Sequence, residues 1–349
     1  MKILFLGSYS GLFTDLHQGL KELGHEPFIV HIGSNWQNHG ADLVFDNSEK
    51  GVKKIFKVLE EYRFCSSLHK FDKVILQNPF LFSRQFYIND ILINRVLRSN
   101  ENCYLSAAGT DSFSWLSYHQ LKYHPYQDLI DNNDDHNFYK SSKAYKWNKS
   151  LASKVKKIIP ISIEYTLGYQ QFNNLHATIP IPVNLSKYDF HGNMAKDKIV
   201  VFHGVTRKGF KGTNYISKAF ENLTQKYPND FEFIMAGNMP IDEYKKALKR
   251  SHIIVDQCNS HGYGVNAAIS LALGKIVLSG SEPEAIKELN ADSCPIFNIT
   301  PNVQQIEDTL LKVLDLKSSF DDLGIQGREY IKKYHDHMTI TKKYLDALS

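Results

Sequence analysis

Two stretches decide how this chain folds. They are Val201–Gly212, V-F-H-G-V-T-R-K-G-F-K-G, and Asp256–Gly280, D-Q-C-N-S-H-G-Y-G-V-N-A-A-I-S-L-A-L-G-K-I-V-L-S-G. The first carries an apolar run, Ile199–Phe202, into a glycine-rich loop that holds Arg207, Lys208 and Lys211. The second reads as a strand end, a Gly262-Tyr263-Gly264 loop, a short apolar helix and another strand. Both put backbone amides and fixed cations at the carboxyl ends of parallel strands, where α/β proteins bind phosphorylated ligands. Together they describe a diphosphate site built from two βα turns.

Working outward, the same alternation fills the carboxyl half. Strands are expected at 199–202, 231–236, 252–256 and 275–279, and helices at 213–227, 240–250, 266–273 and 303–316. Most of 321–347 is also helical in pattern. The amino half starts the same way, with a strand Lys2–Leu6 and a Gly7-Ser8-Tyr9-Ser10-Gly11 turn. A helix follows with Leu12, Leu16, Leu20 and Leu23 on one face, then a strand at 27–32. Further strands are expected at 73–77 and 102–107, around a helix at 90–98. Alternation of this kind gives a parallel sheet covered by helices on both faces. The expected organisation is two Rossmann-like α/β domains, 1–185 and 196–329, with the terminal 330–349 returning to the first.

At 349 residues the chain has room for two cores. The formal charge of +4 suits an anionic small ligand and does not call for nucleic acid. Cys65, Cys103, Cys258 and Cys294 are widely spaced, which argues against a zinc ribbon or a disulfide framework and fits a reducing cytoplasm. The run Ile3–Leu6 is too short for a signal peptide core, and no run approaches the roughly 18–20 apolar residues that span a bilayer. The segment 140–158 reads as one amphipathic helix, with Ala144, Trp147, Leu151, Val155 and Ile158 on one face and lysines on the other. A solvated basic face is the plainer reading, and contact with anionic lipid at the inner face of the cytoplasmic membrane is the sharper one. The aspartates 128, 131, 134 and 135 lack a calcium-loop pattern, so no metal is expected.

Gly204, Gly209 and Gly212 let a ligand approach the backbone beside Arg207 and Lys211. The helix after Gly264 offers the unpaired amides of Val265 and Asn266 to a phosphate. His203 lies beside the first loop, while Gly11 and Asp111 follow strands and could face a ligand. The first glycines do not form G-x-G-x-x-G, which disfavours a nicotinamide-dependent dehydrogenase.

These residues resemble the group 1 (family four) retaining glycosyltransferases of the GT-B fold. In that family a strand leads to G-R-x-x-x-x-K-G, echoed here by Gly204, Arg207, Lys211 and Gly212. The family's E-G-F-G-x-x-x-x-E is echoed by His261-Gly262-Tyr263-Gly264, and Leu271–Lys275 follows the family pattern beyond it. Ile179–Asn184 is similar to the interdomain stretch, and Glu282–Ile286 to the segment after the last donor-site strand. Both glutamates of the E-x7-E element are replaced, by His261 and Ile269. The resemblance implies two Rossmann-like domains with a ligand cleft between them, the first for the acceptor and the second for a nucleotide-diphosphate sugar. It implies Arg207 and Lys211 as catalytic residues, and Asp111, which follows a strand and could face the cleft, is the further catalytic candidate. Gly204, Gly209, His261, Tyr263, Gly264, Val265, Asn266 and Glu284 are the implied donor-binding residues. It also implies transfer with retention to a glycan or lipid-linked acceptor, with no cofactor. Independence from divalent metal is expected because no D-x-D lies suitably between strands and fixed cations stand where magnesium would neutralise the diphosphate. A nucleotide-sugar epimerase and a catalytically silent nucleotide-binding protein of the same fold are the alternatives.

Overall fold

The computed structural model describes residues 1–33, 40–46, 52–129, 138–205, 209–237 and 239–349. The chain divides into two compact units. The first contains the described residues of 1–117 and 138–182 together with 337–349; the second contains 118–129 and the described residues of 183–336.

The first unit is built on a parallel sheet of β1 (Lys2–Leu6), β2 (Glu26–Ile32), β3 (Leu43–Phe45), β4 (Lys73–Leu76), β5 (Cys103–Ala107) and β6 (Ile158–Pro160), in the order β3-β2-β1-β4-β5-β6. Its central strands are buried on both faces, which is why β1, β4 and β5 read as mainly apolar runs without alternation. The chain order reverses between β1 and β4, which makes this a doubly wound sheet. The helix His337–Leu348 packs on Thr14–Glu22, and a side chain at Gly19 would collide with the Thr341 hydroxyl.

The 140–158 segment differs from the single helix expected of it. The helix runs only Ser142–Ala152. Asn174 Nδ2 donates to the carbonyls of Ala152 (2.9 Å) and Val155 (2.8 Å), satisfying chain ends that a continuing helix would use. The chain then enters the sheet, and Ile158 belongs to β6. Ala144, Trp147 and Leu151 are buried, so the apolar face of this helix is used within the unit.

The second unit carries a parallel sheet of β7 (Ile199–Val205), β8 (Phe231–Gly237), β9 (Ile253–Val255), β10 (Ile276–Ser279) and β11 (Phe297–Asn298), in the order β11-β10-β9-β7-β8. One side is covered by the helices Thr213–Lys226 and Val303–Asp315, which pack on each other through a core that includes Ile216, Phe220, Leu223, Ile306 and Leu310. Val265–Ala272 packs on Phe320–Tyr334. There Gly324 lies against the Gly274 carbonyl so closely that a side chain could not be inserted. Val183 and Asp336, the first and last residues of the unit's main segment, form a parallel bridge.

Candidate functional site

In the second sheet the winding reverses between β7 and β9, a switch point of the kind at whose carboxyl ends doubly wound folds bind ligands. The loops that leave these two strands hold the two stretches singled out in the sequence. Gly209 and Gly212 have φ of 77° and 73°, a left-handed conformation that glycine adopts without steric cost. Gly212 also lies so close to Cys258 Sγ and Asn259 Oδ1 that a Cβ would clash with both.

Lys211 does not project into solvent. Its Nζ donates to Asp256 Oδ1 at 2.8 Å, and both side chains are buried. Asn266 Nδ2 donates to the same oxygen at 3.0 Å, and Tyr244 OH donates to Asn266 Oδ1 at 3.0 Å. Burial alone would raise the Asp256 pKa, but the Lys211 charge and the hydrogen bonds from Lys211 and Asn266 hold it below the usual carboxylate range. One carboxylate therefore ties the Gly209–Gly212 loop to the first turn of the helix Val265–Ala272. Gly204 fits beneath this network, where a Cβ would press on the Tyr244 ring.

That helix begins at Gly264 with no side-chain cap. Its first N–H groups have no intrahelical acceptor, and the helix end carries a partial positive charge. A Cβ placed on Gly264 would meet nothing within 4 Å, so there is open space at the helix end.

His203 is fully buried, with Nδ1 2.7 Å from the Val255 carbonyl and Nε2 3.0 Å from Thr213 Oγ1. Burial pushes its pKa down to about 4, so it is neutral at pH 7 and clips β7 to β9. His261 is also buried, its Nδ1 2.6 Å from Glu284 Oε1 and its ring 4.5 Å from that of Tyr123. Among the described residues nothing bonds its Nε2, which is shut off from water. An unsatisfied buried ring nitrogen costs about 1–3 kcal/mol and awaits a partner. Beside it, Glu282 Oε1 accepts from Tyr123 OH (2.6 Å) and Asn298 Nδ2 (2.9 Å).

Asp256, Tyr123 and Glu282 were missed by the sequence reading. Asp256 was seen only as a strand end, and its position directly beyond β9 was the available signal. Tyr123 comes from 118–129, a stretch read as part of the first domain that folds with the second unit. Gln127 and Asp128 join it there, each bonding Asn259.

Of the expected site residues, His203 and Gly204 lie near the carboxyl end of β7, and Gly209, Lys211, His261, Gly264, Val265, Asn266 and Glu284 lie on the loops and helix starts beyond β7, β9 and β10. Arg207 lies outside the described residues. Tyr263 points elsewhere, its hydroxyl bonding Tyr330 OH (2.8 Å) and His335 Nε2 (2.7 Å) in the interior of the unit. Asp111 belongs to the first unit and is fully buried. Its carboxylate accepts from Tyr169 OH (2.6 Å) and from the Ser114 amide (2.7 Å) at the start of the helix Ser112–Ser117. Burial raises its pKa, with the Tyr169 and Ser114 hydrogen bonds opposing. These bonds give Asp111 a capping role. Gly11, with φ of 69°, closes the turn after β1. Among the described residues no cluster of His, Cys, Asp and Glu could hold a metal ion.

No protein-family model and no curated protein sequence matches this chain. Solved structures do. Anabaena HepE, crystallised in complex with UDP and glucose, is 14% identical, with a TM-score of 0.64 over 100% of this chain and 99% of its own. Sucrose-phosphate synthase from Thermosynechococcus elongatus is 12% identical, with a TM-score of 0.64 over 99% of this chain and 97% of its own. UDP-GlcNAc 2-epimerase from Neisseria meningitidis, bound to UDP-GlcNAc, is 11% identical, with a TM-score of 0.51 over 100% and 99%. The chain thus has the GT-B fold, matched from end to end by structures with which it shares little sequence.

Proposed function

We propose that this protein is a glycosyltransferase that moves a sugar from a nucleotide-diphosphate sugar to a glycan or lipid-linked acceptor. The observation that carries the reading is the uncapped helix end at Gly264, with open space before it, tied through Asp256 to the glycine-rich Lys211 loop. Anionic groups are held at such helix ends by unpaired amides and the helix dipole. As the sugar departs, negative charge grows on the diphosphate oxygens, and preorganised donors aimed there lower the barrier by a few kcal/mol each. The Asp256 bond fixes the Lys211 side chain in place. His261, with Nδ1 held by Glu284, presents Nε2 as a further polar contact, which we assign to a sugar hydroxyl. The neighbours HepE and the epimerase were crystallised with UDP or a UDP-sugar, which makes a uridine nucleotide the first donor to try. Retention of configuration, by analogy with the family that the motifs resemble, and independence from divalent metal, because fixed cations stand where magnesium would act, complete the reading.

The test is release of nucleoside diphosphate from a panel of nucleotide sugars, with and without added acceptor. Release that depends on acceptor supports transfer. A second reading, a nucleotide-binding protein without turnover, is favoured by Ile269, which stands where the resembling family has a glutamate. It predicts binding without release. An epimerase would convert the sugar with no acceptor present.

A further inference from the structure

The helix Val52–Ser66 exposes an unusual number of large apolar side chains among its charged ones. Towards the protein it turns Cys65 and Glu61, both buried. Towards solvent it turns Ile55, Leu59 and Tyr62, spaced i, i+4 and i+7 along one stripe, with Phe56 beside them. Ile55 and Phe56 are each 63% exposed. Leaving four large apolar groups exposed along one helix is unfavourable unless something covers that face.

The apolar surface extends onto the next elements. Lys54 Nζ donates to Gln85 Oε1 at 2.6 Å and joins this helix to the turn at 84–87. In that turn Phe86 and Tyr87 both adopt left-handed backbone, with φ of 47° and 60°, and Phe86 is 86% exposed. Bulky residues resist this conformation by roughly 1–2 kcal/mol each, so the turn holds two aromatic rings outward at a cost to the fold. Ile91, in the helix Ile88–Ser99, is exposed one turn further on.

Cations ring this surface. Lys143 Nζ lies 4.0 Å from the Tyr87 ring centre and 4.7 Å from that of Trp147. Its helix also carries Lys146 and Lys149 on the exposed side and contains no carboxylate. Arg95 lies over the Tyr62 ring, and Arg98 is exposed on the same side of its helix as Ile91. Glu60 and Asp90 are the nearby acidic groups on these helices and are outnumbered. Two copies of this face would set cations against cations, which disfavours self-association.

We propose that this face docks on an anionic lipid bilayer. Ile55, Phe56, Leu59 and Phe86 enter the boundary between headgroups and acyl chains, and Lys146, Lys149 and Arg98 pair with lipid phosphates. The anchor is therefore the helix at 52–66 and the turn beside it, since the apolar face of Ser142–Ala152 is buried and contributes only charge.

The full chain is floated with vesicles of phosphatidylcholine alone, and of phosphatidylcholine mixed with phosphatidylglycerol, with no nucleotide sugar present. The expected result is binding to the anionic vesicles only, weakened by salt. Phe56→Ser/Phe86→Ser and Lys146→Glu/Lys149→Glu should each lower vesicle affinity roughly tenfold or more, with unchanged circular dichroism. Folded wild type that ignores anionic vesicles overturns the proposal, as do variants that bind as well as wild type. So does a lipid-free dimer that the phenylalanine variant abolishes, because a second copy would then be the occupant. None of these outcomes depends on whether the protein transfers sugar.

Discussion

Asp256 is the residue on which the candidate site turns. It receives Lys211 and Asn266 on one oxygen, and it is buried. Removing one partner of a buried pair leaves an uncompensated charge and typically costs about 3–5 kcal/mol, whereas removing both leaves none. Lys211→Met should therefore lower unfolding free energy by several kcal/mol in urea titrations, and Lys211→Met/Asp256→Asn should recover much of the loss. Additive losses in the double variant would show that the pair is not coupled. His261 makes a different prediction. With Nε2 assigned to the sugar, His261→Phe should weaken binding of the nucleotide sugar by about tenfold while leaving the nucleoside diphosphate unchanged, consistent with about 1.5 kcal/mol for one hydrogen bond. Equal loss for both ligands in calorimetry would place the histidine elsewhere.

At the scale of single elements, the helix Val265–Ala272 can be made to report on its own ligand. Gly264 has extended backbone and free space around it, so Gly264→Asp is sterically open. An aspartate there caps the helix and should leave stability equal or a few tenths of a kcal/mol higher. It also sets a carboxylate where the diphosphate is proposed to lie, and nucleotide binding should be lost. Thermal unfolding and calorimetry on the same sample check both halves, and a variant that binds normally removes the helix end from the site.

The helix Val52–Ser66 gives a pH test. Burial raises the Glu61 pKa from 4.5 to about 7, with Lys57 opposing. A raised carboxylate pKa contributes stability that is complete below the unfolded value and lost as pH rises through the folded one. Stability should therefore fall between about pH 4.5 and 7, by up to about 3 kcal/mol from this group. Glu61→Gln should flatten that slope in urea titrations, and an unchanged slope would mean that Glu61 is ionised in the folded protein.

These same elements show what could be read in advance. Strands β1, β4, β5, β7 and β10 are buried on both faces, so their apolar runs were visible to within a residue or two at most ends. The strands β3 and β11 were not, having three and two residues whose pairing comes from neighbours far along the chain. The break at Ala152 was hidden because Asn174, 22 residues later, supplies the hydrogen bonds that end the helix. In the site, the glycines and Lys211 were legible from spacing. The burial of Lys211 against Asp256 was not, because it depends on β9 lying beside β7.

For the molecule as a whole, the GT-B fold is the frame for the proposal that its second unit binds a nucleoside diphosphate through protein cations and backbone amides without a metal. Turnover should persist in EDTA, and loss that magnesium restores would contradict that part. The most direct test is calorimetric titration with UDP, GDP, ADP and TDP. The account predicts that at least one binds at a single site with a Kd on the order of micromolar to hundreds of micromolar, and that Gly264→Asp abolishes this binding without unfolding the protein. Folded wild type that shows no saturable heat with any of the four would contradict it.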